Sequence, residues 1–121
     1  MITKMGVVMT FKNLNDVEEI DILPKIKVKF IHSKNMTFAY WKIQSGAIFP
    51  DHSHPHEQVA TMLEGEFEFK VGNEKRIMKE GDISIVLPNI NHSGIALTDC
   101  KIIDVFFPTR EDYVELSNKN K

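Results

Sequence analysis

Asp51-His52-Ser53-His54-Pro55-His56-Glu57-Gln58 is the stretch on which the reading of this chain turns. It holds three of the five histidines in a sequence of 121 residues. In extended chain, residues two apart project to the same side. His52 and His54 are therefore expected to aim their imidazoles at one point, as two ligands of a single metal ion do. Gln58 follows His54 by four residues and can reach back with its amide oxygen. A fourth histidine, His92, falls in a turn expected over residues 87–92, just past a strand, and a closed sheet can carry it across to the pair. A lone histidine in a polar loop is ordinarily a surface residue; four beside two strand ends, two of them sharing a face, point to a metal site. His56 shares the parity of the pair, but Pro55 can turn the chain before it, so His56 is placed at the rim. His32 ends an alternating strand and reads as exposed or structural.

Outward from this stretch the dominant signal is period two. Ile26, Val28 and Phe30 alternate with lysines, and Phe67, Phe69 and Val71 with Glu66, Glu68 and Lys70; such alternation marks a strand with one buried and one wet face. Residues 37–43, 59–63, 83–87 and 101–107 read as strands from their β-branched and aromatic content. Turn pairs separate them: Ser45-Gly46, Glu64-Gly65, Gly72-Asn73, Gly81-Asp82, Pro88-Asn89 and Thr98-Asp99. Gly72-Asn73 predicts a tight hairpin. Residues 13–20 read as a short helix or loop, and Thr109 as the N-cap of a helix with Glu111 and Asp112 in its first turn. Residues 118–121 are polar and expected to fray. The spacing predicts an all-β sandwich or barrel. On the last strand Ile102, Asp104 and Phe106 share one face and Ile103, Val105 and Phe107 the other. Both faces are largely apolar and need cover, which predicts a homodimer.

Composition narrows the class. Lys plus Arg is 15 against 17 for Asp plus Glu, a net charge of −2, without the basic excess that phosphate binding needs; nucleic acid is not an expected partner. No apolar run approaches the roughly 20 residues of a membrane span, and the start, MITKMGVVMTFKN, reads as no signal peptide. The length suits a single domain over residues 1–121. One cysteine, Cys100, is expected as a small buried hydrophobe with no catalytic role, in a reducing cytoplasm.

The residues resemble the cupins, small metal-binding barrels of the double-stranded β-helix (jelly-roll) type. Their first motif, Gly-x5-His-x-His-x3–4-Glu with a later glycine, is matched by Gly46, His52, His54, Gln58 and Gly65. The second, a glycine, a strand, a proline turn and a histidine, is matched by Gly81, Pro88 and His92, the proline one position late. The likeness spans residues 25–110 or so, the barrel core, with short N- and C-terminal extensions. Gln58 departs from the usual glutamate. A neutral amide beside three neutral imidazoles leaves the ion its full charge, which favours Lewis-acid work. A narrower resemblance, carried by residues 52–58 and by Asp104-Val105-Phe106-Phe107-Pro108-Thr109-Arg110, is to the pectin-degradation cupins of the KdgF type. That resemblance implies a divalent metal (Ni, Zn, Mn or Fe) held by His52, His54, Gln58 and His92. It implies a pocket lined by Asp104, Phe106 and Arg110, and conversion of an unsaturated uronate to its ketonic form.

Bottom-up, Asp104 between two large apolar residues is costly unless something compensates its burial. Either it bonds backbone amides at a barrel end, or it serves as a general acid/base. Arg110 is a surface residue, or a bidentate clamp on a substrate carboxylate. Phe106 reads as pocket wall or core; Phe38, Tyr40, Trp41 and Met62 are given no role. Two other functions fit the same residues: an Fe(II) dioxygenase acting on a small polar substrate, and a non-catalytic, metal-dependent small-molecule or sugar binder.

Overall fold

The alternating segments become strands whose apolar members face inward. In the structure, a computed structural model that describes residues 10–119, these are β2 (Ile26–His32), β3 (Thr37–Ile43), β6 (Phe67–Val71) and β10 (Cys100–Phe107). β5 spans Glu57–Glu64 and β8 Ile83–Val86. The Gly72-Asn73 hairpin joins β6 to β7 (Glu74–Met78), with Gly72 at φ +58°. β1 (Ile20–Leu23), β4 (Ile48–His52) and β9 (His92–Ala96) complete the set.

Two antiparallel sheets result, one ordered β1-β2-β3-β10-β5-β8 and the other β4-β9-β6-β7. The inner face of the larger sheet presents Ile26, Val28, Ala39, Trp41, Ala60, Met62 and Ile102; the smaller supplies Phe67, Phe69 and, from β7, Met78. This is the two-sheet jelly-roll arrangement expected from the sequence. A short helix, α1 (Glu111–Lys119), packs Tyr113 and Leu116 against the same core. Cys100 is buried as expected, its thiol directed at the carbonyls of Glu66 and Thr98. Burial pushes its pKa up, so it stays a thiol.

Two local expectations are corrected. His92 is not in a turn: it opens β9, in register with His52 on β4 and Val71 on β6. Thr109 does not cap α1. Its hydroxyl donates to the Lys34 carbonyl, while the Arg110 carbonyl accepts the first helical bond, from Val114, which makes Arg110 the cap position. Residues 13–19 are a short helix and loop as expected, the 3-10 helix Leu14–Asp16 capped by Asn13, and β1 begins at Ile20. The reading of residues 1–9 as no leader, and the fraying of residues 120–121, lie outside the described residues. No helix among the described residues is long and apolar enough to cross a membrane.

Candidate metal centre and cavity

The inner row of β10 places Asp104 directly between Ala39 of β3 and Ala60 of β5. Two alanines beside an aspartate leave space, and the cavity opens there. It is lined among others by Trp41, His52, Gln58, His92, Asp104, Phe106, Arg110 and Tyr113. Long side chains one pleat further along the neighbouring strands reach Asp104 diagonally. Trp41 Nε1 donates to Asp104 Oδ2 at 2.9 Å and Gln58 Nε2 to the same oxygen at 3.1 Å. Asp104 Oδ1 is buried with no partner. Burial pushes this carboxyl up to about 7, against the pull of the two N–H donors and Arg110.

Three imidazoles meet beside this carboxyl. His52 ends β4 and His92 opens β9, with ring centroids 4.2 Å apart. His54 lies in the connection between β4 and β5, its ring 4.9 Å from that of His92 and 5.8 Å from that of His52. The two motif histidines thus converge from a strand end and the loop after it rather than from one strand face. Ligand nitrogens of all three lie within 4.8 Å of one another. Each ring is turned by its own backbone: Nδ1 donates to Pro50 O from His52 (2.7 Å), to His56 O from His54 (3.0 Å) and to Ile90 O from His92 (2.9 Å). A carbonyl only accepts, so the proton sits on Nδ1 and each Nε2 keeps a lone pair. His92 Nε2 is buried without a partner.

These donors fit a cation. Burial, with Arg110 and His92 nearby, lowers the His54 pKa to about 4, so the ring is neutral at pH 7; burial likewise lowers that of His92. Gln58 turns its N–H to Asp104 and therefore its Oε1 to His54 Nε2, 3.1 Å away. Two lone pairs face each other at that distance, an arrangement that a positive ion accepting both would relieve. The set of three imidazoles and an amide oxygen suits several first-row divalent ions.

At the other end of the cavity Arg110 is 6% exposed. Asp112 grips its Nε at 2.9 Å and Nη2 at 2.7 Å, and Nη1 is buried without a partner. Burial opposes the guanidinium's charge, but the bonds from Asp112 outweigh it and hold the pKa above its ordinary value. Phe106 packs between the two ends, 5.6 Å from the His54 ring and 4.7 Å from the guanidinium carbon.

Six of the seven residues singled out in the sequence line one cavity, and His54 joins them through its contacts with His92, Gln58 and Phe106. His56 is buried with its ring 5.6 Å from that of His54 and directs Nε2 at Glu111 Oε1 on α1, at 3.4 Å; His32 bonds Thr37 and Ser117. Sequence reasoning missed Trp41, Asp112 and Tyr113. Trp41 lies on the inner face of β3 and bonds a residue 63 positions away, which no local pattern announces. The other two stand two and three residues past Arg110, a spacing that was available as a signal.

The Cupin domain family matches residues 39–106. The pectin degradation protein KdgF of Dickeya dadantii is 38% identical over 71 residues, covering 57% of this chain and 64% of that protein. The match thus spans less than two thirds of that relative's length. The structure of KdgF from Halomonas sp. superposes with a TM-score of 0.81 at 28% identity, covering 88% of this chain and 99% of that one. An RmlC-like cupin from Shewanella frigidimarina superposes at 0.83, also at 28% identity, covering 88% and 96%.

Proposed function

The chain belongs to the cupin domain family, and from that premise we propose that it is a metal-dependent enzyme that isomerises or tautomerises a small sugar acid, such as an unsaturated uronate. One observation carries the proposal: the cavity has a cluster of metal-ligating lone pairs at one end, an unpartnered guanidinium N–H at the other and a buried carboxyl beside the cluster. The likeness to the two KdgF proteins supports the substrate class.

His52, His54, Gln58 and His92 would hold the ion, a divalent Ni, Zn, Mn or Fe. When bound it supplies Lewis acidity, polarising an oxygen of the substrate. Arg110 offers Nη1 to the substrate carboxylate, a charge-assisted bond in a largely dry site. Phe106 forms the wall between the two ends. Asp104, with a pKa near neutrality, exchanges a proton through its unpartnered Oδ1. In a tautomerisation a proton leaves the enol oxygen and another arrives at the far carbon of the C=C bond, next to the carbon that becomes the carbonyl, so the step balances without a co-reactant. A carboxyl whose pKa lies near the working pH serves both halves.

The proposal extends to assembly. On the outer face of the larger sheet Ile83 and Ile85 are each 61% exposed and Phe107 56%. They adjoin Val59, Thr61, Ile103 and Val105 across β8, β5 and β10. An apolar face of this kind marks an interface, and a second copy is the proposed occupant. The lone thiol fits a cytoplasmic setting.

Elemental analysis of the purified protein followed by a conversion assay on an unsaturated uronate tests the function. Divalent metal at about one ion per chain, as a four-donor site implies, and conversion without oxygen are the expected results. Oxygen uptake with bound iron would instead make it a dioxygenase, and a stable complex with unaltered uronate would make it a binding protein.

A further inference from the structure

Arg110 is held on three sides by its own neighbourhood. Asp112, whose side chain is 58% exposed, takes Nε and Nη2 from the solvent side. The Tyr113 ring lies 3.9 Å from the guanidinium carbon, closer than Phe106 at 4.7 Å. The Tyr113 ring is itself locked: it stacks on Phe30 at 4.5 Å and 19°, and meets Phe106 and Trp41 edge-on at 5.7 and 6.3 Å. Burial pushes its hydroxyl up to about 12, so it stays protonated at neutral pH; it meets Arg110 with its ring face and, more weakly, with its hydroxyl. A guanidinium without a fixed bed samples many rotamers and loses binding energy to ordering. Here the bed leaves one N–H group, at Nη1, without a partner.

We propose that Tyr113 is a positioning residue for the carboxylate-binding end of the cavity. Its ring and the Asp112 carboxylate fix the guanidinium so that Nη1 alone addresses the substrate. The proposal rests on the reading of Arg110 as the carboxylate clamp. The effect belongs to binding: losing the ring face should raise KM and leave kcat and metal content near wild type, because the ring packs on Phe30, Trp41 and Phe106 and on no imidazole of the cluster.

The test compares Tyr113→Phe, Tyr113→Leu and Asp112→Asn in the metal-loaded protein. With unsaturated uronate, Tyr113→Phe should match wild type, and Tyr113→Leu should raise KM about tenfold, the size of one weakened charge-assisted contact. Asp112→Asn, at an exposed side chain that leaves the core intact, should raise KM in the same direction. An unchanged KM in Tyr113→Leu overturns the proposal; if that variant fails to fold, an unchanged KM in Asp112→Asn does so. A second readout needs no substrate. The Arg110 Nε–H resonance in a 15N-labelled sample should exchange slowly with solvent in wild type and Tyr113→Phe, and faster in Tyr113→Leu. Equal exchange in all three overturns the proposal. Wild type inactive on uronates, with that exchange pattern present, refutes the assigned reaction and leaves the positioning of Arg110 supported.

Discussion

Gln58 donates its amide N–H to Asp104 Oδ2 across 3.1 Å, and that bond decides which end of the amide faces the histidines. In the proposed mechanism Asp104 therefore has two roles, orienting a metal donor through Oδ2 and moving a proton through Oδ1. Asp104→Asn keeps an acceptor for Trp41 and Gln58 while removing the titrating group. Metal content should stay at the wild-type level while turnover falls by about 10² to 10⁴, the usual range for a lost general acid/base. Elemental analysis beside the rate assay checks both halves, and undiminished turnover removes Asp104 from the mechanism.

Removing the ion should destabilise the fold. A ligand that binds only the folded chain adds about 2.7 kcal/mol at a hundred times its dissociation constant. Chelation should lower the thermal midpoint of wild type, and readdition of a divalent ion should restore it. His92→Ala, which deletes the buried unpartnered Nε2, should show a midpoint indifferent to chelator. A wild-type midpoint equally indifferent would argue against a resident ion.

Acid should act on the metal-free chain in a defined window. His54 has its pKa lowered from 6.5 to about 4 by burial and by the charges of Arg110 and His92. Below pH 6.5 the unfolded chain takes up a proton that the folded chain refuses, so stability falls as pH falls. The loss should develop between pH 6.5 and about 4 and level off below. His92, shifted the same way, adds to it. Thermal scans of chelated protein across this range should show the midpoint falling, with a shallower slope in His54→Gln. A flat profile would contradict the assignment of a neutral buried ring.

The outer face of the larger sheet predicts a mass. Light scattering at micromolar concentration should give twice the chain's mass for wild type. Ile85→Lys, at a 61% exposed edge position, should give a monomer with little change in fold, since a lysine there reaches water when the partner leaves. A monomeric wild type would remove the dimer.

Gly65 should resist substitution. Its φ is +89° and a Cβ there would run into the Asp99 carbonyl oxygen. Gly65→Ala should cost about 2 kcal/mol or more, from left-handed backbone and close contact together, read as a lowered denaturation midpoint. An equal cost at Gly81, where φ is +88° but a Cβ meets nothing within 4 Å, would show that the contact adds nothing.

The sequence was legible where side chains alternate. β2, β3, β6 and β10 show their buried and wet faces directly, and positive-φ glycines mark the turns between strands. β4 and β9 were not legible, and the reasons are physical. β4 is an edge strand carrying Pro50, with no residue fully buried. β9 reads His-Ser-Gly-Ile-Ala because the Phe67 ring occupies the place where a Gly94 side chain would be; a strand that makes room for a neighbour's ring shows no hydrophobic pattern of its own. That is why His92 read as a turn residue although its meeting with His52 and His54 was foreseen. The link from Asp104 to Trp41 depends on tertiary packing between strands, and periodicity does not encode which diagonal neighbours meet; the link from Arg110 to Tyr113 is local and stood within reach of the sequence.

The three Nδ1–H bonds to main-chain carbonyls have a consequence for the history of such a site. Because peptide oxygens rather than neighbouring residues set the tautomer of every imidazole, point mutation has no handle on it. Selection, or a protein engineer, is thus free to rewrite the cavity walls for a new substrate while the proton inventory of the donor rings is inherited unchanged.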